Sequence, residues 1–153
     1  MGVKLLQDIY LFKEFSSKEL EEISAKGVVR TFNQGDTVFE EGAQARSLFV
    51  IRHGTVHIRR SGKKDDVDVV RLGGGAHFGE MPLVNDEPRS ASAVALERSE
   101  LLEIGYDVLQ AQLEQHPQTA VKFYRALAHF LAGRLRTTTV DLSFSREKNL
   151  RLF

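Results

Sequence analysis

Leu72-Gly73-Gly74-Gly75-Ala76-His77-Phe78-Gly79-Glu80-Met81-Pro82-Leu83-Val84-Asn85-Asp86-Glu87-Pro88-Arg89-Ser90-Ala91-Ser92-Ala93 interrupts a run of short strand patterns with glycines, one turn of helix and an arginine that opens the next strand. These residue types suit a pocket for a small anion that also bears hydroxyls. Gly79 lacks a Cβ, so a ligand can approach its backbone closely. A helical turn beginning there aims free amides at an anion. Glu80 offers acceptor oxygens for a hydroxyl. Arg89 offers a planar fork that matches two anionic oxygens.

On both sides of this stretch, from 28 to 104, the pattern is of short strands separated by turn residues. Thr37 to Phe39 precedes Glu41-Gly42, and Ser47 to Arg52 leads through His53-Gly54 into Thr55 to Arg60, which reads as a hairpin. Val56 and Ile58 alternate with Thr55, His57 and Arg59, as a half-buried strand requires. Lys63-Lys64-Asp65-Asp66 reads as a solvated hairpin tip before Val67 to Leu72. Ser90 to Leu96 and Glu100 to Ile104 read as a further strand pair. Many short strands without long intervening helices point to an antiparallel β-roll or jelly roll.

Helical periods flank this zone. Within residues 1–30, Leu5, Leu6, Ile9, Leu11 and Phe12 precede Ser16-Ser17-Lys18-Glu19. There Ser16 caps a helix, Glu19 reaches back to it, and Gly27 ends it. After Gly105, Val108, Leu109 and Leu113 mark a short helix ending near His116-Pro117. Val121, Tyr124, Leu127, Ala128, Leu131, Leu135 and Thr138 then recur at three- and four-residue steps. The organisation read is one domain over 1–153: helices over 1–30, a β-roll over 28–104, helices over 105–140, and a fraying tail over 141–153. The fold class is α+β, a jelly roll flanked by N-terminal short helices and a C-terminal helical lid.

The 153 residues hold 21 Lys+Arg against 21 Asp+Glu, so the net charge of zero gives no bulk attraction to nucleic acid or membrane. No cysteine is present, which excludes disulfides, thiolate metal sites and a cysteine nucleophile. No apolar run is long enough to span a bilayer. No signal-peptide pattern opens the chain, and Leu6 replaces the Ser or Thr of a myristoylation start, so the expected compartment is the cytoplasm. Residues His53, His57, His77, His116 and His129 are scattered and form no metal-ligand pattern. Without a His-x-His pair, a cupin-type metalloenzyme on a similar roll is disfavoured. The glycine run 73–75 is followed by no Gly-Lys-Ser/Thr, so it reads as a turn and not a nucleotide-triphosphate loop.

Phe78-Gly79-Glu80, followed by Pro88-Arg89-Ser90-Ala91, resembles the phosphate-binding cassette of the cyclic-nucleotide-binding domains of catabolite activator and protein kinase A regulatory subunit type. Gly35, Gly42 and Gly54 match that family's spaced glycines, and the resemblance runs from about Leu11 to Leu135. It implies a non-catalytic module that binds cyclic AMP (cAMP), or alternatively cyclic GMP (cGMP), with no metal. Glu80 would accept from the ribose 2′-hydroxyl and Arg89 would pair with the cyclic phosphate. Amides around Phe78, Gly79 and Met81, with Ser90 and Ala91, would complete the cradle. Ser90 beside Arg89 accompanies adenine in that family. The C-terminal helix would close over the base, with Thr138 and Thr139 at the positions of a base-reading pair.

The chain departs from the family at Pro82, which stands where a residue with a free amide usually helps hold phosphate; proline has no N–H. Thirteen residues after the lid are too few for a helix-turn-helix, so no DNA-binding module is expected. The competing reading is a ligand-free dimerisation or docking module on the same fold. Expected partners are the nucleotide, an unidentified protein and a second copy through the apolar stripe of the last helix.

Overall fold

The structure is a computed structural model that describes residues 2–62 and 67–151, with side chains over 2–62 and 69–137. Residues 63–66, expected from the sequence to form a solvated hairpin tip, therefore lie outside the described residues, as do the side chains of Thr138 and Thr139. In chain order the elements are α1 (Gly2–Gln7), a 3-10 turn (Tyr10–Phe12), α2 (Ser17–Lys26), β1 (Val28–Phe32), β2 (Thr37–Phe39), β3 (Ser47–His53), β4 (Val56–Arg60) and β5 (Val67–Leu72). They continue with β6 (His77–Phe78), α3 (Met81–Asn85), β7 (Ser92–Ala95), β8 (Ser99–Gly105), α4 (Tyr106–Gln115) and α5 (Pro117–Arg151). The strands form two antiparallel four-stranded sheets in the orders β1-β8-β3-β6 and β2-β7-β4-β5. The fold is the expected β-roll flanked by helices.

Two apolar cores explain why β3 reads as an unbroken hydrophobic run. Its alternate residues serve different layers. Phe49 and Ile51 point into the sandwich, where Phe32, Val56, Phe78, Ala93, Ala95 and Leu101 meet them. Leu48 and Val50 point the other way, with Leu102 and Ile104 of β8, into a helical core. Phe12, Phe15 and Phe123 pack ring on ring there, with centroids 5.2 to 6.0 Å apart. The Ser16 hydroxyl accepts from the Glu19 N–H, and the Glu19 carboxylate accepts from the Ser16 N–H, both at 3.1 Å. That reciprocal cap starts α2 where the sequence places it. Gly27 ends α2 in extended backbone, not the left-handed conformation of a glycine cap. A Cβ there would lie 2.9 Å from Leu102 Cδ1, so close packing on β8 accounts for the glycine.

Two expected strand pairings do not form. β3 and β4 are not a hairpin: β3 pairs with β8 and β6, whereas β4 pairs with β5 and β7. Likewise β7 and β8 are successive in sequence but lie in different sheets. Alternation and turn residues show that a strand turns, but not which sheet receives it. At Gly54 the backbone takes φ +101°, and a Cβ would stand 2.6 Å from the Ser99 Cα, so the two strand connections cross against each other. The Thr55 N–H donates to Ser99 Oγ at 3.2 Å and fastens that crossing.

The expected tail over 141–153 is also different. α5 runs without a break to Arg151. After Pro117 the run to Arg151 holds no further proline and only one glycine, Gly133, so no strong breaker interrupts it, and a weak apolar period does not end a helix. No helix among the described residues is long and apolar enough to cross a membrane.

Candidate functional site

The cassette is shaped by backbone geometry before any side chain acts. β6 delivers Phe78 into the sandwich, where its ring stacks on Phe49 at 5.4 Å. Gly79 then takes φ +81°, which an L side chain adopts only with strain. A Cβ on Gly79 would lie 2.7 Å from Arg89 Nη1, so the missing side chain makes room for the arginine. α3 follows, with Pro82 in its first turn and Asp86 in a left-handed conformation at its end. The Gly42 N–H donates to the Arg89 carbonyl at 2.8 Å, and the Arg89 N–H donates to the Ala43 carbonyl at 2.9 Å. The segment leading into β7 therefore carries Arg89 at a fixed place.

Arg89 is buried, with 5 % exposure. Its Nη2 donates to the Ser47 carbonyl at 2.6 Å and its Nη1 to the Gly79 carbonyl at 3.0 Å. The guanidinium lies 4.0 Å from the centre of the Phe39 ring. Tyr106, the first residue of α4, donates its hydroxyl to the same Gly79 carbonyl and stands 3.4 Å from Arg89 Nη1. Burial depresses the Arg89 pKa, and the neighbouring Tyr106, Glu103 and Glu80 partly restore it. Burial pushes the Tyr106 phenol up to about 12, against the pull of Arg89.

Glu80 is 1 % exposed and is not paired with Arg89. Its carboxylate instead lies 3.4 Å from His77 Nδ1 and 3.7 Å from Arg134 Nη1, the latter on α5. Neither carboxylate oxygen receives a hydrogen bond, and Arg89 Nε donates none. Buried polar groups are almost always satisfied, because leaving them bare costs the lost solvation.

These groups share a cavity of about 730 Å³ between the cassette and α5. Phe78, Gly79, Glu80, Met81, Pro82, Arg89, Ser90 and Ala91, the eight cassette residues singled out from the sequence, all line it. Thr137, one residue before the singled-out Thr138, also lines it. The apolar wall is made by Ile58 of β4 and by Val69, Val70 and Leu72 of β5. From α5 come His129, Phe130, Gly133 and Arg134. Sequence reasoning missed these residues, and it missed His77 and Phe39 as well. Only the helical period placing Phe130, Gly133, Arg134 and Thr137 on one face could have signalled the α5 set. A pocket of this size, with apolar walls and few convergent polar groups, suits a nucleotide-sized ligand. Among the described residues no three His, Asp or Glu side chains converge as metal ligands would.

Comparison with known proteins bears on this arrangement. The family model described as "Cyclic nucleotide-binding domain" matches residues 29–116. Glutaminase 1 of Bradyrhizobium diazoefficiens is 34 % identical over 125 residues, covering 82 % of this chain and 20 % of that protein. The cyclic AMP receptor protein of Thermus thermophilus is 32 % identical over 144 residues, covering 91 % of this chain and 64 % of that one. The crystal structure of the Thermus thermophilus catabolite activator protein superposes with a TM-score of 0.77 at 30 % identity, covering 88 % of this chain and 62 % of that chain. The chain thus spans a fifth of the glutaminase and less than two thirds of the receptor protein. With a family model covering more than half its length and a cassette gathered around one cavity, the chain belongs to the cyclic nucleotide-binding domain family.

Proposed function

We propose that this domain is a non-catalytic regulatory module that binds cAMP, with cGMP as the alternative, in the cavity beneath α5. One observation carries the reading: a buried carboxylate and a buried guanidinium with unused hydrogen-bonding capacity share that cavity. A ligand bearing both a hydroxyl donor and an anion satisfies both at once. In this reading Glu80 accepts the ribose 2′-hydroxyl, and Arg89 exchanges part of its carbonyl bonding for the cyclic phosphate. The N–H groups of Gly79 and Met81, with Ser90, complete the cradle without Pro82. By the family resemblance the base-reading positions fall at Thr138 and Thr139 of α5, a helix that shifts between open and closed populations with the ligand. Ser90 and the name of the Thermus relative, a cyclic AMP receptor protein, favour adenine. Output passes to an unidentified protein partner or a second copy in the cytoplasm. Val121, Tyr124 and Leu135, all exposed on α5, offer apolar surface for such a contact.

Calorimetric titration with cAMP and cGMP tests the reading, beside Arg89→Gln and Arg89→Lys. Wild type should bind one nucleotide in preference to the other. Arg89→Gln, if folded by circular dichroism, should lose about 2–5 kcal/mol, tens to thousands of fold in Kd. Binding of neither nucleotide by folded wild type would overturn the reading in favour of the docking module, with Pro82 as its cause.

A further inference from the structure

His77 has no part in the binding scheme above, yet its position ties it to that scheme. It sits on β6, immediately before the cassette, paired in register with Val50 of β3. Its side chain is only 8 % exposed and opens on the cavity. Nδ1 points at Glu80 Oε2 from 3.4 Å, and Nδ1 makes no hydrogen bond. On its other side the ring rests against Phe130 of α5, 4.7 Å between centroids. The imidazole is thus wedged between the carboxylate and the closing helix. The charged and titratable groups that share this end of the cavity are Glu80 from α3's cap, Arg134 and His129 from α5, and Arg89 opposite.

We propose that His77 is the positioning residue of the Glu80 carboxylate, and that its protonation state sets how tightly the cavity holds a cyclic nucleotide. The inference rests on the function proposed above. Neutral His77 leaves the carboxylate held chiefly by Arg134. Protonated His77 adds a second cation beside Glu80 and fixes the carboxylate where a ribose hydroxyl can donate to it. A cyclic nucleotide also brings an anion into a cavity that excludes much water, and that anion attracts an imidazolium. Ligand and proton therefore help one another, and binding takes up protons.

The test is Kd for the preferred nucleotide measured by calorimetry at pH 5.5, 6.5, 7.5 and 8.5, in two buffers of different ionisation enthalpy. Wild type should bind at least about fivefold more tightly at the acid end, the gain from one added Coulombic contact at about 4 Å even when it is screened as in water, with net proton uptake between the two buffers. His77→Gln, which keeps a hydrogen-bonding amide but no charge, should flatten the slope, whereas His129→Gln should retain it. A pH-independent wild-type Kd, or a slope surviving in His77→Gln, would overturn the inference while leaving nucleotide binding intact. If no nucleotide binds at any pH, the functional reading itself fails, and the pairing is read on ligand-free protein. There, the His77 ring proton signal, followed by NMR against pH, should change midpoint in Glu80→Gln. An unchanged midpoint would reject the pairing outright.

Discussion

Replacing Gly79 by alanine tests how the cassette is built without reference to any ligand. The new Cβ meets two separate obstacles. At φ +81° an L residue is strained, which costs roughly 1–3 kcal/mol. The methyl would also sit 2.7 Å from Arg89 Nη1, a group held by the Ser47 and Gly79 carbonyls and by the Phe39 ring. Giving way means losing one hydrogen bond from a charged donor, roughly 1.5–3 kcal/mol. Together these come to about 2.5–6 kcal/mol, a large share of a typical domain's 5–15 kcal/mol. For a chain of this length the melting temperature should fall by roughly 10 °C. Urea unfolding followed by circular dichroism measures the loss, with Gly73→Ala as control. A Cβ at Gly73 meets nothing within 4 Å, and its φ lies outside the left-handed range. Gly79→Ala combined with Arg89→Gln should cost less than the sum of the two, since the shorter side chain removes the collision but not the strain. A loss below about 1 kcal/mol, or strict additivity, would refute the account of why glycine stands there.

Other expectations concern groups that do not line the cavity. Tyr106 is one of three tyrosines, and its phenol is raised from 10.0 to about 12. The neutral form is favoured in the folded state, so its contribution to stability is intact below pH 10 and lost as pH rises towards 12. Absorbance titration at alkaline pH should show this late component, and Tyr106→Phe should abolish it; a titration unchanged by the substitution contradicts the assignment. At the start of α2, Ser16→Ala should cost about 1 kcal/mol in urea unfolding. Burial acts to raise the Glu19 carboxyl, but hydrogen bonds from the Ser16 N–H and hydroxyl outweigh it and hold it below its ordinary value. Its contribution is therefore present above the ordinary carboxylate range and lost as pH falls through the folded value. Stability measured from pH 6 down to pH 3 should decline less steeply in Glu19→Gln, and equal slopes would count against the cap.

What could be read from the sequence was local in origin. The Ser16–Glu19 cap is decided within four residues, and it stands as read. The eight cassette residues lie within fourteen positions of chain, and all reach the same cavity. What could not be read depends on distant partners. Whether β3 pairs with β4 is not a property of His53-Gly54 but of β8, which arrives some fifty residues later and takes one side of β3. Ile58 and Val69 carry no sign of a pocket, because an apolar strand residue looks the same facing a core or a ligand. His77 read as one scattered histidine, since its meaning lies in Glu80 and in Phe130, fifty-three residues onward. Even Gly79, singled out for its backbone, owes its smallness to Arg89 as much as to an incoming molecule.

The crossing at Gly54 bears on how the chain acquires its shape during synthesis. Of the strand pairs described, β4 with β5 is the one that joins neighbours in sequence; the others wait for β6, β7 or β8. A chain growing from its N-terminus can close that hairpin early, but β1 has no partner until the segment Ser99–Gly105 has emerged. That late strand lies between β1 and β3, so its arrival completes one sheet in a single event. It also presents Leu102 and Ile104 to the waiting N-terminal helices. Such long-range closure is slow compared with helix formation, and until it happens Leu48 and Val50 stay uncovered. A ribosome-bound chain arrested just before Ser99 should be digested readily by protease, and one arrested well past Gly105 should resist.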